Sequence, residues 1–195
     1  MPLSDIPPLV AKAVSAAEDS DFYERPSINP FAELIYAAFL NQHPRASNIL
    51  KRVAHCTTSL TPDCCRGPNL EWTFGQLFLM ARIAKVFSRE RILEIYLNEN
   101  YFGRGAYGVG AAANAYFGKP LALLSIDEVA FIAALPKAPG QIGRRKDIAV
   151  ERRNRIIEQM LQSGFVNEAD AAFAKERPLS FREEPADGQA PQKSL

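Results

Sequence analysis

The sequence lacks any apolar run long enough to span a bilayer, so none of its 195 residues form a predicted transmembrane helix. Its start, MPLSDIPPLV, also lacks the basic head and long apolar centre of a secretory signal. Two interpretations stay open at this point. The chain either remains inside the cell or is a piece separated from its membrane anchor.

An excess of charge of either sign is missing, because 23 basic and 22 acidic residues give a net charge of +1. No basic tract interleaved with aromatic residues occurs, so nucleic acid is not an expected partner. Cysteine is scarce, and the three cysteines, Cys56, Cys64 and Cys65, are an odd number. A regular disulfide framework is therefore not expected, and the usual spacing of a zinc site is absent. The role of the cysteines stays open.

Alternating apolar patterns longer than a few residues are also missing, so no β-sheet is predicted. Helical periodicity recurs instead, and 47% hydrophobic residues are enough to form a core. Helices are predicted at 6–19, 30–42, 47–57, 70–87, 89–100, 126–136, 147–162 and 167–175. We expect one mainly α domain over residues 1–177 and a polar tail over 178–195 that is disordered.

Two serines and a run of glycines indicate where elements begin. Ser88 and Ser125 are predicted N-caps, and Glu128 completes a capping box with Ser125. The stretch GRGAYGVGAAANAYFG predicts a loop followed by a closely packed helix of small residues. A glycine-rich string alone is weak evidence for a phosphate-binding loop.

An acidic pair, Glu18 and Asp19, ends the first predicted helix within the stretch AAEDSDFYERPSI. A partly buried carboxylate that reaches a cleft is the usual setting of a general base or acid. The alternative is that both residues are solvated, as most surface acids are. On this stretch alone the alternative is favoured.

Three separated stretches resemble, in order and spacing, the motifs of glycosyltransferase family 51, the peptidoglycan glycosyltransferases. They are AAEDSDFYERPSI, ILEIYLNENYFGRGAYGVGAAANAYFGK and ERRNRIIEQML. The resemblance implies a lysozyme-like helical domain on the outer, periplasmic face of the cytoplasmic membrane. It also implies polymerisation of lipid II, in which the acceptor sugar 4-hydroxyl attacks the anomeric carbon of a lipid-linked glycan strand with inversion. The implied partners are lipid II, the glycan strand, the membrane surface and a transpeptidase domain or protein.

The resemblance assigns the role of catalytic base to Glu18. The other matched positions, which it implies bind substrate or brace the cleft, are Asp19, Ser47, Glu94, Arg152 and Arg153. An arginine pair suits phosphate or carboxylate, although it is also compatible with a solvated helix face. For Glu94 the alternative is an ordinary ion pair within its own helix.

The sequence departs from the family on the donor side of the implied site. Gln76 occupies the position of the family's second glutamate, which is thought to act at the diphosphate or its metal. Because glutamine is uncharged, an implied Mg²⁺ would be held more weakly. RASNILKRVAHC replaces most of the second motif, where Lys51 and Arg52 either stand in for missing cations or are solvated.

Three functions follow from the match and its departures. The leading hypothesis is a peptidoglycan glycosyltransferase with a weakened donor site. The alternative is a catalytically silent relative that binds lipid II, glycan or a cell-wall partner. A lysozyme-like hydrolase with Glu18 as acid ranks last, because it needs a second carboxylate or a positioned water. For membrane contact the candidates are Phe74, Leu77, Phe78, Leu79 and Met80, although a core position is favoured for them.

Overall fold

The computed structural model describes residues 1–24, 47–58, 70–137 and 145–182. Within these ranges the chain forms helices and no β-strand. The α-helices are α1 (Pro8–Glu18), α2 (Asn48–Thr58), α3 (Leu70–Val86), α4 (Arg89–Glu99), α5 (Val109–Phe117), α6 (Ile126–Ala134), α7 (Lys146–Gln162) and α8 (Glu168–Glu176). The predicted mainly α class is confirmed. The predicted helix at 30–42 lies outside the described residues, as do residues 183–195.

Side-chain caps begin several of the helices at the predicted positions. The hydroxyl of Ser88 accepts a hydrogen bond from the backbone N–H of Arg91 at the start of α4. At the start of α6, Glu128 accepts from the N–H of Ser125 at 2.9 Å, whereas the hydroxyl of Ser125 has no hydrogen-bond partner among the described residues. The predicted cap at Ser88 is confirmed, and the Glu128 bond of the predicted capping box is present. They satisfy backbone groups that have no partner within the helix.

Helix α6 lies at the centre of the fold. All its residues from Asp127 to Ala134 are buried. Helices α1 and α7 both pack against α6, and α8 packs against α7 and α6. Helix α2 packs against α3 and α4 and also contacts α1. The carboxyl end of α1 therefore lies between the central helix and the start of α2.

The glycine before α5 allows two segments to approach closely. Gly108 has φ of +82°, and a Cβ at this position would lie 2.5 Å from the carbonyl oxygen of Asn98. Any other residue would be strained there and would collide with the backbone at the end of α4. The predicted close packing of this small-residue region is confirmed.

The apolar residues of α3, for which the sequence allowed either a core or a surface position, occupy both. Leu77 and Met80 are buried in the core, and Leu79 is partly buried against it. Phe78 is 48% exposed on the opposite face. The side chain of Phe74 lies outside the described residues. No helix in the described part of the chain combines the length and the apolarity needed to cross a membrane.

The packed part of the domain extends beyond the predicted boundary at residue 177. Leu179 is buried, and the ring of Phe181 lies 6.1 Å from that of Tyr116. The backbone N–H of Arg182 donates to the carbonyl oxygen of Tyr116 at 2.7 Å. Residues 178–182 therefore belong to the folded domain, because their apolar side chains complete its core.

Candidate active site

Glu18 is the last residue of α1 and is only 5% exposed. Its Oε1 atom is buried and has no hydrogen-bond partner among the described residues. Burial raises the pKa of the Glu18 carboxyl, whereas Arg52 and Lys137 lower it and Asp19 raises it further. The net effect is an upward shift. A carboxylate with a raised pKa and an unused lone pair is suited to accept a proton.

Side chains from two other elements hold the backbone beneath Glu18. The ammonium of Lys137 donates to the carbonyl oxygen of Ala17 at 2.5 Å. The side-chain amide of Asn48 donates to the carbonyl oxygen of Glu18 at 3.0 Å. The last carbonyl groups of a helix have no partner within it, so these bonds cap α1. They also fix the direction in which the Glu18 side chain leaves the helix.

Two cations accompany the buried carboxylate. Arg52 on α2 donates to the carbonyl oxygen of Pro136 at 2.8 Å, which joins α2 to the turn Leu135–Lys137. Arg52 and Lys137 both act on the pKa of Glu18 by charge attraction. Of the two, only Arg52 was predicted. Lys137 lies more than a hundred residues after Glu18 in the chain, so the two residues share no local sequence pattern. The one feature that could have indicated Lys137 is its position in the turn that follows the buried helix α6.

Asp19 and Ser47 occupy capping positions near the same helix ends. Asp19 is buried and forms the C-cap of α1. Ser47 is buried, and its hydroxyl accepts from the N–H of Leu50 at 3.3 Å, as an N-cap of α2 does. Lys51 is partly buried on α2. Substrate binding by these three residues stays a prediction.

Glu94 connects α4 to the beginning of the chain. It accepts a hydrogen bond from the N–H of Leu3 at 2.8 Å and forms an ion pair with Arg91. The predicted intrahelical pair is therefore present together with a long-range bond that fixes the turn Leu3–Asp5. Gln76 is partly buried on α3. A role at the diphosphate stays a prediction for Gln76.

The two arginines of the pair on α7 differ in burial. Arg152 is partly buried, whereas Arg153 is 1% exposed. Arg153 donates to the carbonyl oxygens of Lys175 at 2.8 Å and Arg177 at 2.6 Å, where α8 ends. Burial lowers its pKa, and neighbouring Asp127 raises it. These contacts favour a structural role for Arg153, and phosphate binding by either arginine stays a prediction.

The described residues around Glu18 do not fit a divalent metal ion. In the described part of the chain no group of three or more His, Cys, Asp or Glu side chains is placed to hold a metal. Arg52 and Lys137 supply positive charge beside Glu18, and Gln76 is neutral. A hard cation such as Mg²⁺ prefers several anionic oxygen ligands, which these residues do not supply. The side chains of the three cysteines lie outside the described residues.

A mainly helical domain with a buried, cation-flanked carboxylate at a helix end has the construction of an acid–base catalytic domain. The family comparison is more specific. A family model described as Transglycosylase matches residues 1–161. The chain belongs to this transglycosylase family.

Curated relatives extend the similarity over most of the chain. Penicillin-binding protein 1A of Rickettsia felis is 38% identical over 192 residues, which cover 93% of this chain and 24% of the relative. The protein of the same name from Aquifex aeolicus is 36% identical, with 93% and 25% covered. That of Escherichia coli is 37% identical, with 85% and 20% covered. The chain thus spans about a quarter of the length of the relatives it matches.

A solved structure is also similar in part. The 2.6 Å crystal structure of penicillin-binding protein 1A from Haemophilus influenzae shares 36% sequence identity with this chain. The match covers 50% of this chain and 15% of that chain, with a TM-score of 0.48.

Proposed function

We propose that this domain is a peptidoglycan glycosyltransferase that polymerises lipid II into glycan strands at the outer face of the cytoplasmic membrane. Membership of the transglycosylase family supports the reaction class. One observation supports the assignment of the catalytic base to a particular residue. Glu18 is buried at the end of α1, and one of its carboxylate oxygens has no hydrogen-bond partner among the described residues. In this proposal Glu18 is the catalytic base.

The reaction requires one proton acceptor. As the 4-hydroxyl oxygen of the acceptor sugar bonds to the anomeric carbon of the donor, its proton passes to the Glu18 carboxylate. The bond from that carbon to the diphosphate oxygen breaks with its electron pair, and attack from the opposite face inverts the anomeric centre. Glu18 then returns its proton to water. The raised pKa favours the first transfer, because a more basic carboxylate is a better proton acceptor.

The reaction also requires positive charge for the departing diphosphate. Arg52 and Lys137 are the cations that act on Glu18, and both belong to elements packed at the end of α1. Before the donor binds, they favour the ionised form of Glu18. When it binds, their charge is available to the diphosphate oxygens. Arg52 would therefore stand in for part of the positive charge of the missing family cations.

The outer face of α3 has a composition that suits a membrane surface. Phe78 and Val86 are 48% and 71% exposed, and Phe87 directly after the helix is 41% exposed. Arg82 and Lys85 are exposed on the same helix. Exposed apolar side chains interspersed with cations suit an anionic lipid surface. We therefore place this face against the membrane that carries the lipid-linked substrate, and a transpeptidase domain or protein remains the expected partner for the product strand.

One observation favours a second candidate, the catalytically silent relative. Gln76 replaces the second acidic residue of the family pattern, and RASNILKRVAHC replaces most of the second motif. Such a protein would bind lipid II, glycan or a cell-wall partner and transfer nothing. The intact, buried Glu18 is the observation against it.

A polymerisation assay with labelled lipid II separates the two candidates. Purified protein is incubated with lipid II in detergent or vesicles, with and without Mg²⁺, and the products are resolved by length. We expect polymer from the native chain and a rate at least about a hundredfold lower for Glu18→Gln, in line with the contribution of a general base. Glu24→Gln is the matched control, because Glu24 is an exposed acid in the same stretch.

Two outcomes would contradict the proposal, one for the reaction and one for the residue. If the native chain binds lipid II but forms no polymer under either condition, the silent relative is the better description. If Glu18→Gln polymerises as fast as Glu24→Gln, the base has been assigned to the wrong residue.

A further inference from the structure

A cavity of about 430 Å³ opens at the start of α6, where it is bounded by the end of α5 and the segment after α8. We call it the α6 cavity. Its lining includes the acidic residues Asp127 and Glu128, the basic residues Lys119, Arg177 and Arg182, and the ring of Phe181. None of these residues belongs to the group around Glu18. Its volume lies within the range of small-ligand sites.

A buried carboxylate oxygen in the wall of this cavity lacks a hydrogen-bond donor. The side chain of Asp127 is 5% exposed, and its Oδ1 atom has no hydrogen-bond partner among the described residues. The Nε atom of Arg177 lies 3.6 Å from this oxygen, which is too long for a hydrogen bond. A buried acceptor left in this state is unfavourable. A ligand that donates to Asp127 would remove that penalty.

The second acid of the cavity is already satisfied. Glu128 accepts from the ammonium of Lys119 at 2.7 Å and from the N–H of Ser125 at 2.9 Å. The charges of Glu128 and Lys119 therefore cancel each other. Asp127, Arg177 and Arg182 then leave one negative and two positive charges in the lining, and Arg153 lies near Asp127 outside it.

We propose that the α6 cavity binds a short zwitterionic peptide. Its ammonium group would donate to Oδ1 of Asp127, and its carboxylate would pair with the guanidinium of Arg182 or Arg177. The excess positive charge favours a ligand with a carboxylate over a neutral saccharide. The ring of Phe181 supplies an apolar wall for the side chains of the peptide. This site is separate from the glycosyltransferase proposal and does not depend on it.

The test is titration of the full 195-residue chain with glycyl-alanine, followed by heteronuclear NMR and calorimetry. Two modified ligands report on the two ends of the peptide: the N-acetyl form has no ammonium group, and the amide form has no carboxylate. Chitobiose is the neutral saccharide control. We expect glycyl-alanine to shift the resonances of cavity residues, and each modified ligand to bind about tenfold more weakly or worse, since charge-assisted hydrogen bonds are the strong ones.

Two variants assign each end of the ligand to a residue. N-acetylation of the peptide should weaken its binding to the native chain but not to Asp127→Asn. Amidation should weaken binding to the native chain but not to Arg182→Gln. The second variant keeps the test decisive if the first does not fold, because the bonds of Arg182 to Tyr116 and Arg104 come from its backbone. The proposal is overturned by an absence of cavity shifts at millimolar glycyl-alanine, by tighter binding of chitobiose, or by equal binding of all three peptide forms.

Discussion

Asn48 donates a hydrogen bond from its side-chain amide to the backbone carbonyl oxygen of Glu18, across 3.0 Å. The residue that carries the buried carboxylate is thereby held from a second helix, α2, which begins at Asn48. Lys137 holds the preceding carbonyl group, that of Ala17, from a third element. The orientation of the proposed base is therefore a property of the packed domain and not of α1 alone.

Asn48→Ala should destabilise the domain by about 1 kcal/mol, because it leaves the carbonyl oxygen of Glu18 without this donor. Urea unfolding followed by circular dichroism measures the change. Asn114→Ala is the control, since Asn114 is exposed on α5 and its replacement should alter stability by less than about 0.5 kcal/mol. Equal stability of the two variants would show that the bond to Glu18 contributes nothing.

Glu18→Gln should make the domain more stable at neutral pH. Burial raises the pKa of Glu18 in the folded state, so the folded chain holds the proton more tightly than the unfolded chain. Stability therefore falls as pH rises from the ordinary glutamate pKa through the raised one, and above that range the ionised carboxylate is a full penalty. The glutamine variant has no such penalty.

The gain in stability should be present at pH 7 and vanish below about pH 4, where glutamate is protonated in both states. Urea midpoints of the native chain and of Glu18→Gln across this range measure it. A variant that is less stable than the native chain at pH 7 contradicts the burial argument.

Arg52→Gln should shift the pH dependence of kcat/KM to higher pH. The charge of Arg52 lowers the pKa of Glu18, so its removal lets burial raise that pKa further. A higher pKa means that less of the base is ionised at a given pH. Arg52→Lys is the control, because it keeps the charge and should leave the profile close to that of the native chain. Superimposable profiles for all three proteins would exclude an electrostatic role for Arg52.

Arg153→Met should cost about 3 kcal/mol or more of stability, since it leaves the carbonyl groups at the end of α8 without their donor and removes a charge that attracts the buried Asp127. Arg152→Met should change stability by less than about 0.5 kcal/mol, because Arg152 is only partly buried. Thermal and urea unfolding measure both. If Arg153→Met is as stable as the native chain but no longer binds lipid II, Arg153 is a substrate ligand after all.

Gln76→Glu should raise the rate of lipid II polymerisation severalfold and make it more dependent on Mg²⁺, because it restores an anionic oxygen ligand on the donor side. Gln162→Glu, the same change at an exposed position of α7, is the control. The comparison is made at saturating lipid II across a series of Mg²⁺ concentrations. An unchanged rate and metal dependence would remove Gln76 from the donor site.

Much of the fold could be predicted because its signals are local. The helices at 70–87, 147–162 and 167–175 follow from apolar spacing. The cap at Ser88 and the bond of Glu128 to the N–H of Ser125 follow from side-chain chemistry within one turn. The family could also be predicted, since its motifs are short continuous stretches. The packing of residues after 177 could not be predicted, because a polar composition does not reveal that Leu179 and Phe181 pack against the core.

Local pattern was sufficient for the helices, their caps, the family and the choice of Glu18 as the acid to examine, since each depends on residues close together in the chain. Tertiary packing decided the surroundings of that acid. Lys137 reaches the end of α1 only because α6 packs against it, and burial then sets the direction of the Glu18 pKa. Packing likewise set the contacts of Arg153, because its buried guanidinium lies against the carbonyl oxygens of Lys175 and Arg177 at the end of α8.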